Sequence, residues 1–182
     1  MKKLIPVNKE DVARGAKPKY KMEDVWPISQ EVLEQLRPHC IRCQIAGSIR
    51  RGKDLIGDIE IVAVCKPYEF GLLESGIATV VNRWEKVKGK MDIKCKYTQR
   101  ILPSGIKLDL FMVQEDNWGL HLATRTGSAA YSHQVLAKGW VKAGFRSVDG
   151  YLTKDGDKVP VKEEMELYRL IGVKWIEPRY RK

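Results

Sequence analysis

Two carboxylates two positions apart, Asp58 and Glu60, stand in an otherwise apolar run, Ile59-Glu60-Ile61-Val62-Ala63-Val64. Side chains alternate between the faces of a strand, so both carboxylates point the same way, with Cα atoms roughly 6.5–7 Å apart. Such a pair repels itself and resists burial, and a divalent cation between the two removes both penalties. Just upstream, Gly47-Ser48 ends an apolar run with a turn free enough for backbone N–H groups to approach a phosphate. Ile49-Arg50-Arg51 is expected to open a short helix, whose start favours an anion. A phosphate cradle placed before a metal-binding carboxylate pair is suited to nucleotidyl transfer. Farther on, residues 106–113 read as a strand, with Ile106, Leu108, Leu110 and Met112 on one face and Lys107, Asp109, Phe111 and Val113 on the other. A single aspartate inside such a strand needs a reason.

The elements that must position these groups are read from a chain of 182 residues, enough for one domain or two small ones sharing an interface. A hydrophobic content of 43% supports a core. The net charge of +10 and pI of about 9.4 imply an anionic partner, nucleic acid first; the plain alternative is a basic surface that binds nothing. His39-Cys40-x-x-Cys43 hints at zinc, but no second close pair completes such a site. Cys43 also falls on the apolar side of an alternating strand with Ile41 and Ile45, so the cysteines read as core thiols of a reducing compartment. No run resembles a signal peptide or approaches the roughly 18 apolar residues of a membrane span, and the expectation is a soluble intracellular protein.

Residues 1–20 form a basic N-terminal arm, read as mobile or loosely docked, with ordering by nucleic acid and a solvated tail without a role left as alternatives. A helix follows, capped by Asp24, with Pro27 in its first turn and an apolar stripe of Val25, Ile28, Val32, Leu33 and Leu36; Pro38 stops it. Residues 40–46 make a strand, and Pro67 ends the carboxylate strand. Residues 69–84 are weakly helical, with Leu72, Leu73, Ile77, Val80 and Val81 apolar. Residues 86–113 are strands joined by turns at Lys88-Gly89-Lys90 and Pro103-Ser104-Gly105. Lysines and arginines crowd this hairpin, with Tyr97 among them, and a basic hairpin beside a metal site makes a track for a phosphodiester backbone. A solvated, aggregation-resistant edge is the competing reading. After Trp118 the chain turns helical: Tyr131, Val135, Leu136, Trp140 and Val141 share one helix ending near Gly144. A hairpin with Asp155-Gly156 at its turn comes next. A last helix carries Glu163, Glu164, Leu167, Leu170 and Ile171 and stops at Gly172.

The pattern Gly47-Ser48-x-Arg50-Arg51-Gly52-Lys53, followed by Gly57-Asp58-x-Glu60, resembles the nucleotidyltransferase superfamily, and its Arg-Arg-Gly-Lys form resembles the family X DNA polymerases. The resemblance implies an α+β fold: a nucleotidyltransferase palm with a mixed or antiparallel sheet and flanking helices over residues 21–117, then a small helical and β thumb over 118–182. It implies Mg²⁺, with Mn²⁺ as a substitute, on Asp58, Glu60 and the third carboxylate Asp109. Nucleotide contacts fall to Gly47, Ser48, Arg51, Lys53 and the Arg125-Thr126-Gly127-Ser128 segment; the charge of the basic hairpin, apart from the resemblance, assigns the DNA contacts to Lys94, Lys96, Arg100 and Lys107. The implied activity is templated transfer from a dNTP to a primer 3′-hydroxyl by a monomer, in short-gap repair. Three departures stand out. Glutamate replaces the second aspartate of the best-known members, Thr124-Arg125 replaces an aromatic pair associated with sugar selection, and the arm is too short for a lyase or fingers-like domain. A template-independent transferase acting on RNA or a small molecule, and a nucleic-acid-binding module without catalysis, are the competing functions.

Overall fold

The structure, a computed structural model, describes residues 1–66, 76–92 and 94–182. In chain order it begins with α1 (Lys9–Ala13), β1 (Tyr20–Lys21), α2 (Met22–Leu36), β2 (Cys40–Ile45), α3 (Gly47–Arg50), β3 (Leu55–Ile56) and β4 (Asp58–Cys65). Next come α4 (Gly76–Val81), β5 (Glu85–Lys88), β6 (Tyr97–Ile101) and β7 (Lys107–Met112). The rest comprises α5 (Trp118–Thr126), α6 (Ala129–Tyr131), a π-helical turn over Ser132–Ala137, α7 (Lys138–Lys142), β8 (Arg146–Val148), β9 (Tyr151–Lys154), β10 (Asp157–Val159) and α8 (Glu164–Ile171). The architecture is α+β, with a mixed sheet and flanking helices.

That sheet has the order β2-β4-β7-β6-β5; β4 and β7 run parallel and every other neighbour pair is antiparallel. Its two faces have different fates. On one, Ile59, Ile61 and Ala63 of β4 and Leu108 and Leu110 of β7 pack against Val25, Ile28, Val32, Leu33 and Leu36 of α2 and Ile77, Val80 and Val81 of α4. On the other, Val62 and Val64 of β4 meet Trp118 and Leu122 of α5. That cover stops short of Asp58 and Glu60, which keep partial exposure on the same face. A further core joins α5 to the C-terminal elements through Leu120, Tyr131, Leu136, Phe145, Leu152, Leu167 and Tyr168.

Several local expectations change. Helix α2 starts directly from β1, its Met22 N–H donating to the Asp54 carbonyl at 2.9 Å, so Lys21 occupies the cap, Asp24 sits in the first turn and Pro27 lies farther in, on the exposed side. The register slips between Cys40 and Arg42, and this bulge turns Ile41 outward to 46% exposure. In the helical run after Ser128, the π turn adds a residue to the period, and Val141 ends up 65% exposed instead of on the core stripe. Strand β8 has no signal in the sequence, being three exposed residues without alternation. The Asp155-Gly156 turn does join β9 to β10, with positive φ at both residues. The arm is docked. Leu4 N–H donates to Ser104 O at 2.8 Å, Val7 N–H to Lys19 O at 2.8 Å, and β1 pairs with β3. Pro67 and the 69–75 part of the weakly helical stretch lie outside the described residues. Among the described residues no helix is long and apolar enough to cross a membrane.

Candidate active site

The parallel register of β4 and β7 sets Glu60 opposite Asp109 and Asp58 opposite Lys107. Alternation along β4 puts Asp58 on the same face as Glu60, so all three carboxylates share the uncovered end of one sheet face. Strand β6 then supplies the support. Antiparallel pairing sets Gln99 opposite Asp109 and Tyr97 opposite Phe111. Tyr97 Oη donates to Asp109 Oδ1 at 2.6 Å, and Gln99 Nε2 donates to the same oxygen at 2.7 Å. Tyr97 stacks on Phe111 at 5.1 Å, and the Arg125 guanidinium lies over the Phe111 ring at 4.1 Å.

The electrostatics follow from crowding. Burial first, then the charges of Asp58 and Asp109, push the Glu60 carboxyl up to about 7, against the opposing pull of Arg51 and Arg125. Asp58 is also raised, by burial and by Asp109, with Lys19, Lys17 and Lys107 acting the other way. A hard divalent cation suits this all-carboxylate donor set and relieves the same repulsion. Among the described residues, however, no group of three or more His, Cys, Asp or Glu side chains is gathered so as to hold a metal ion. Asp109 is drawn toward β6 by Tyr97 and Gln99, while Glu60 lies over the Gly47 backbone. A Cβ at Gly47 would fall 1.8 Å from Glu60 Oε2, and Gly47 has φ +61°, so only glycine fits beneath that carboxylate.

Helix α3 begins at Gly47, earlier than the Ile49 start expected from the sequence. Ser48 Oγ and Arg51 Nε are buried without a hydrogen-bond partner. Arg51 Nη1 donates to the Thr126 carbonyl, and burial lowers the Arg51 pKa while Glu60 and Asp58 hold it up. With Glu60, Arg125, Gly127, Ala129, Ser132 and His133, Arg51 lines a cavity of about 580 Å³. A second cavity of about 700 Å³ lies beside Asp109, walled by Tyr97, Phe111, His121, Arg125 and Tyr151. Its far rim is tied down by Asn117 Nδ2, which donates to Gly150 O at 3.1 Å, and by His121 Nε2, 3.0 Å from the same oxygen.

Other sequence candidates divide. The Thr126 hydroxyl is fully buried, donating to Leu122 O at 2.6 Å and receiving Arg50 Nη1 at 2.5 Å, and Ser128 Oγ caps α6 by accepting from Tyr131 N–H at 3.1 Å. These two side chains are spent on holding the segment in shape, whereas the Arg125 side chain is exposed and lines both cavities. The Gly127–Ser128 peptide bond is cis. Lys53, Lys94, Lys96 and Lys107 are exposed. Arg100 is 1% exposed and reaches Asn82 Oδ1 at 3.3 Å, because β6 alternation sends it to the α2 and α4 face, away from Tyr97 and Gln99; it is no part of a DNA track. Sequence reasoning missed Gln99 and Phe111 at the site and saw Tyr97 only as an interleaved aromatic. The same period-two count that picked out Asp109 would have found all three, given the strand register.

No protein-family model matches the chain, and no curated protein matches it at a significant level.

Proposed function

We propose that the chain is a nucleotidyltransferase of the family X DNA polymerase type, a palm followed by a thumb, which adds a dNTP to a primer 3′-hydroxyl under template direction. The observation that carries this reading is the Glu60–Asp109 register pair, on one open face with Asp58 and with the Gly47 turn directly beneath Glu60. Asp58, Glu60 and Asp109 would hold Mg²⁺ or Mn²⁺, which when bound neutralises phosphate charge and lowers the pKa of a hydroxyl nucleophile. The partnerless Ser48 hydroxyl and Arg51 Nε would bind the phosphates of the triphosphate as donors already desolvated and fixed in place. Arg125, whose guanidinium lies over the Phe111 ring and which lines both cavities, would orient the nucleotide through its charge. Tyr97 and Gln99 would keep Asp109 in position. Exposed Lys94, Lys96 and Lys107 would follow the DNA backbone.

The test is primer extension on one-nucleotide-gapped DNA with Mg²⁺, with dNTPs and rNTPs supplied separately, comparing the native chain with Asp109→Asn. The expected outcome is templated addition that falls by on the order of 100-fold or more in the variant. Addition that ignores the template would replace this reading with a template-independent transferase.

A further inference from the structure

The N-terminal arm is built into the Asp58 side of the site. The Asn8 side chain clamps the segment around Pro18 from both sides: Nδ2 donates to Lys17 O at 2.9 Å, and Oδ1 accepts from Lys19 N–H at 2.7 Å. Leu4 anchors the start of the arm on the β6–β7 turn, and Tyr20, 5% exposed, sinks its ring into the main core. Pairing of β1 with β3 then fixes Lys19 next to the chain that enters β4. A Cβ at Gly57, the residue before Asp58, would lie 3.0 Å from Lys19 Nζ, so the ammonium rests on the backbone at the edge of the carboxylate cluster. Lys107 stands opposite Asp58 on β7, so cations face this carboxylate from the arm and from the sheet.

The charges are close enough to act on Asp58 yet are not spent on it. Among the described residues neither Lys17 nor Lys19 makes an ion pair, whereas Lys21, on the adjoining β1, pairs with Glu23 at 3.2 Å. A lysine whose backbone is held by an amide clamp and whose ammonium has no acid partner remains available to an incoming anion. From these contacts we infer that Lys17 and Lys19 form a phosphate-binding site at the Asp58 edge of the candidate active site, positioned by Asn8. The inference rests on the nucleotidyl-transfer reading for its substrate class. A phosphate can arrive there from the polynucleotide backbone or from the triphosphate tail.

Binding without turnover tests it. A fluorescein-labelled one-nucleotide-gapped duplex is titrated by anisotropy at several salt concentrations, and dATP with Mg²⁺ is titrated separately by calorimetry. Both are done on the native chain, on the Lys17→Gln/Lys19→Gln double variant and on Asn8→Ala. Losing two phosphate contacts is expected to weaken binding roughly tenfold and to lower the log–log salt slope by about 1–2. Weakening for DNA assigns the site to the strand, and weakening for dATP alone assigns it to the triphosphate. Asn8→Ala keeps both charges, so a comparable loss there supports a positioned site over diffuse charge. Should Asn8→Ala melt early, the double-glutamine variant, which touches no backbone bond, decides alone. Unchanged affinity for both ligands in that variant overturns the inference. Absence of templated extension by the native chain would defeat the polymerase reading instead, and leaves this binding comparison intact.

Discussion

Glu60 carries a strongly perturbed carboxyl at the centre of the site. Its carboxyl rises from 4.5 to about 7 because burial and two neighbouring acids disfavour the charged form. A carboxyl that holds its proton more tightly in the fold than in the unfolded chain weakens the fold as pH climbs between those two values. The full penalty is present above about 7 and absent below about 4.5. Glu60→Gln is therefore expected to stabilise the fold at pH 8 by on the order of 2 kcal/mol after allowance for partial exposure, raising the melting temperature there, and to leave stability nearly unchanged at pH 5. Mg²⁺ should stabilise the native chain at pH 8, progressively less as pH falls through 7, and little in the variant. Thermal melts at constant ionic strength check both, and a Glu60→Gln gain that does not depend on pH would refute the electrostatic account. At this scale the three acids are legible in the sequence because carboxylates in apolar strands stand out. Gln99 is not, since a glutamine on a strand carries no signal until its partner is known.

On β6, one alternation decides two fates. Tyr97 and Gln99 face the carboxylates, while Thr98 and Arg100 face the core. Arg100→Met should then leave DNA affinity unchanged and act on melting temperature, while Lys94→Gln/Lys96→Gln should weaken DNA binding several-fold and leave the melt nearly unaltered. Anisotropy titrations beside thermal melts separate the two, and a loss of DNA affinity in Arg100→Met would overturn the placement. The basic hairpin was visible as composition, but composition does not say which face a side chain takes.

Across the whole molecule, a buried ion network ties the α3 turn to the C-terminal lobe. Glu164 accepts two bonds from Arg50, at 3.0 and 2.9 Å, and one from Arg181 Nη1 at 2.8 Å, with Trp175 Nε1 at 3.3 Å. Arg181 has no exposed surface. Burial by itself would raise the Glu164 carboxyl, but bonds and charge from the two arginines outweigh it and hold it below its usual range. Its stabilising effect is therefore present above the unfolded carboxylate pKa and lost as pH falls through the folded one. Glu164→Ala leaves both arginines buried without their anion and is expected to cost about 3–5 kcal/mol in urea unfolding at pH 7, with a smaller loss in acid. A cost near zero would mean that the network contributes nothing net.

The sequence by itself determined the period of each main element and the residue types of the site. The α2 stripe, the two faces of β4 and β7, the Asp155-Gly156 turn and the Gly172 stop all follow from local sterics and alternation, which need no distant partner. Only the tertiary structure decided what depends on register and docking: Glu60 beside Asp109, Tyr97 and Gln99 on Asp109, Arg100 turned inward, and the arm clamped by Asn8 at Asp58. The bulge after Cys40 and the π turn after Tyr131 belong with these. Each adds or shifts one residue, and one residue reverses a face, so only the packed neighbours can settle which side a side chain takes.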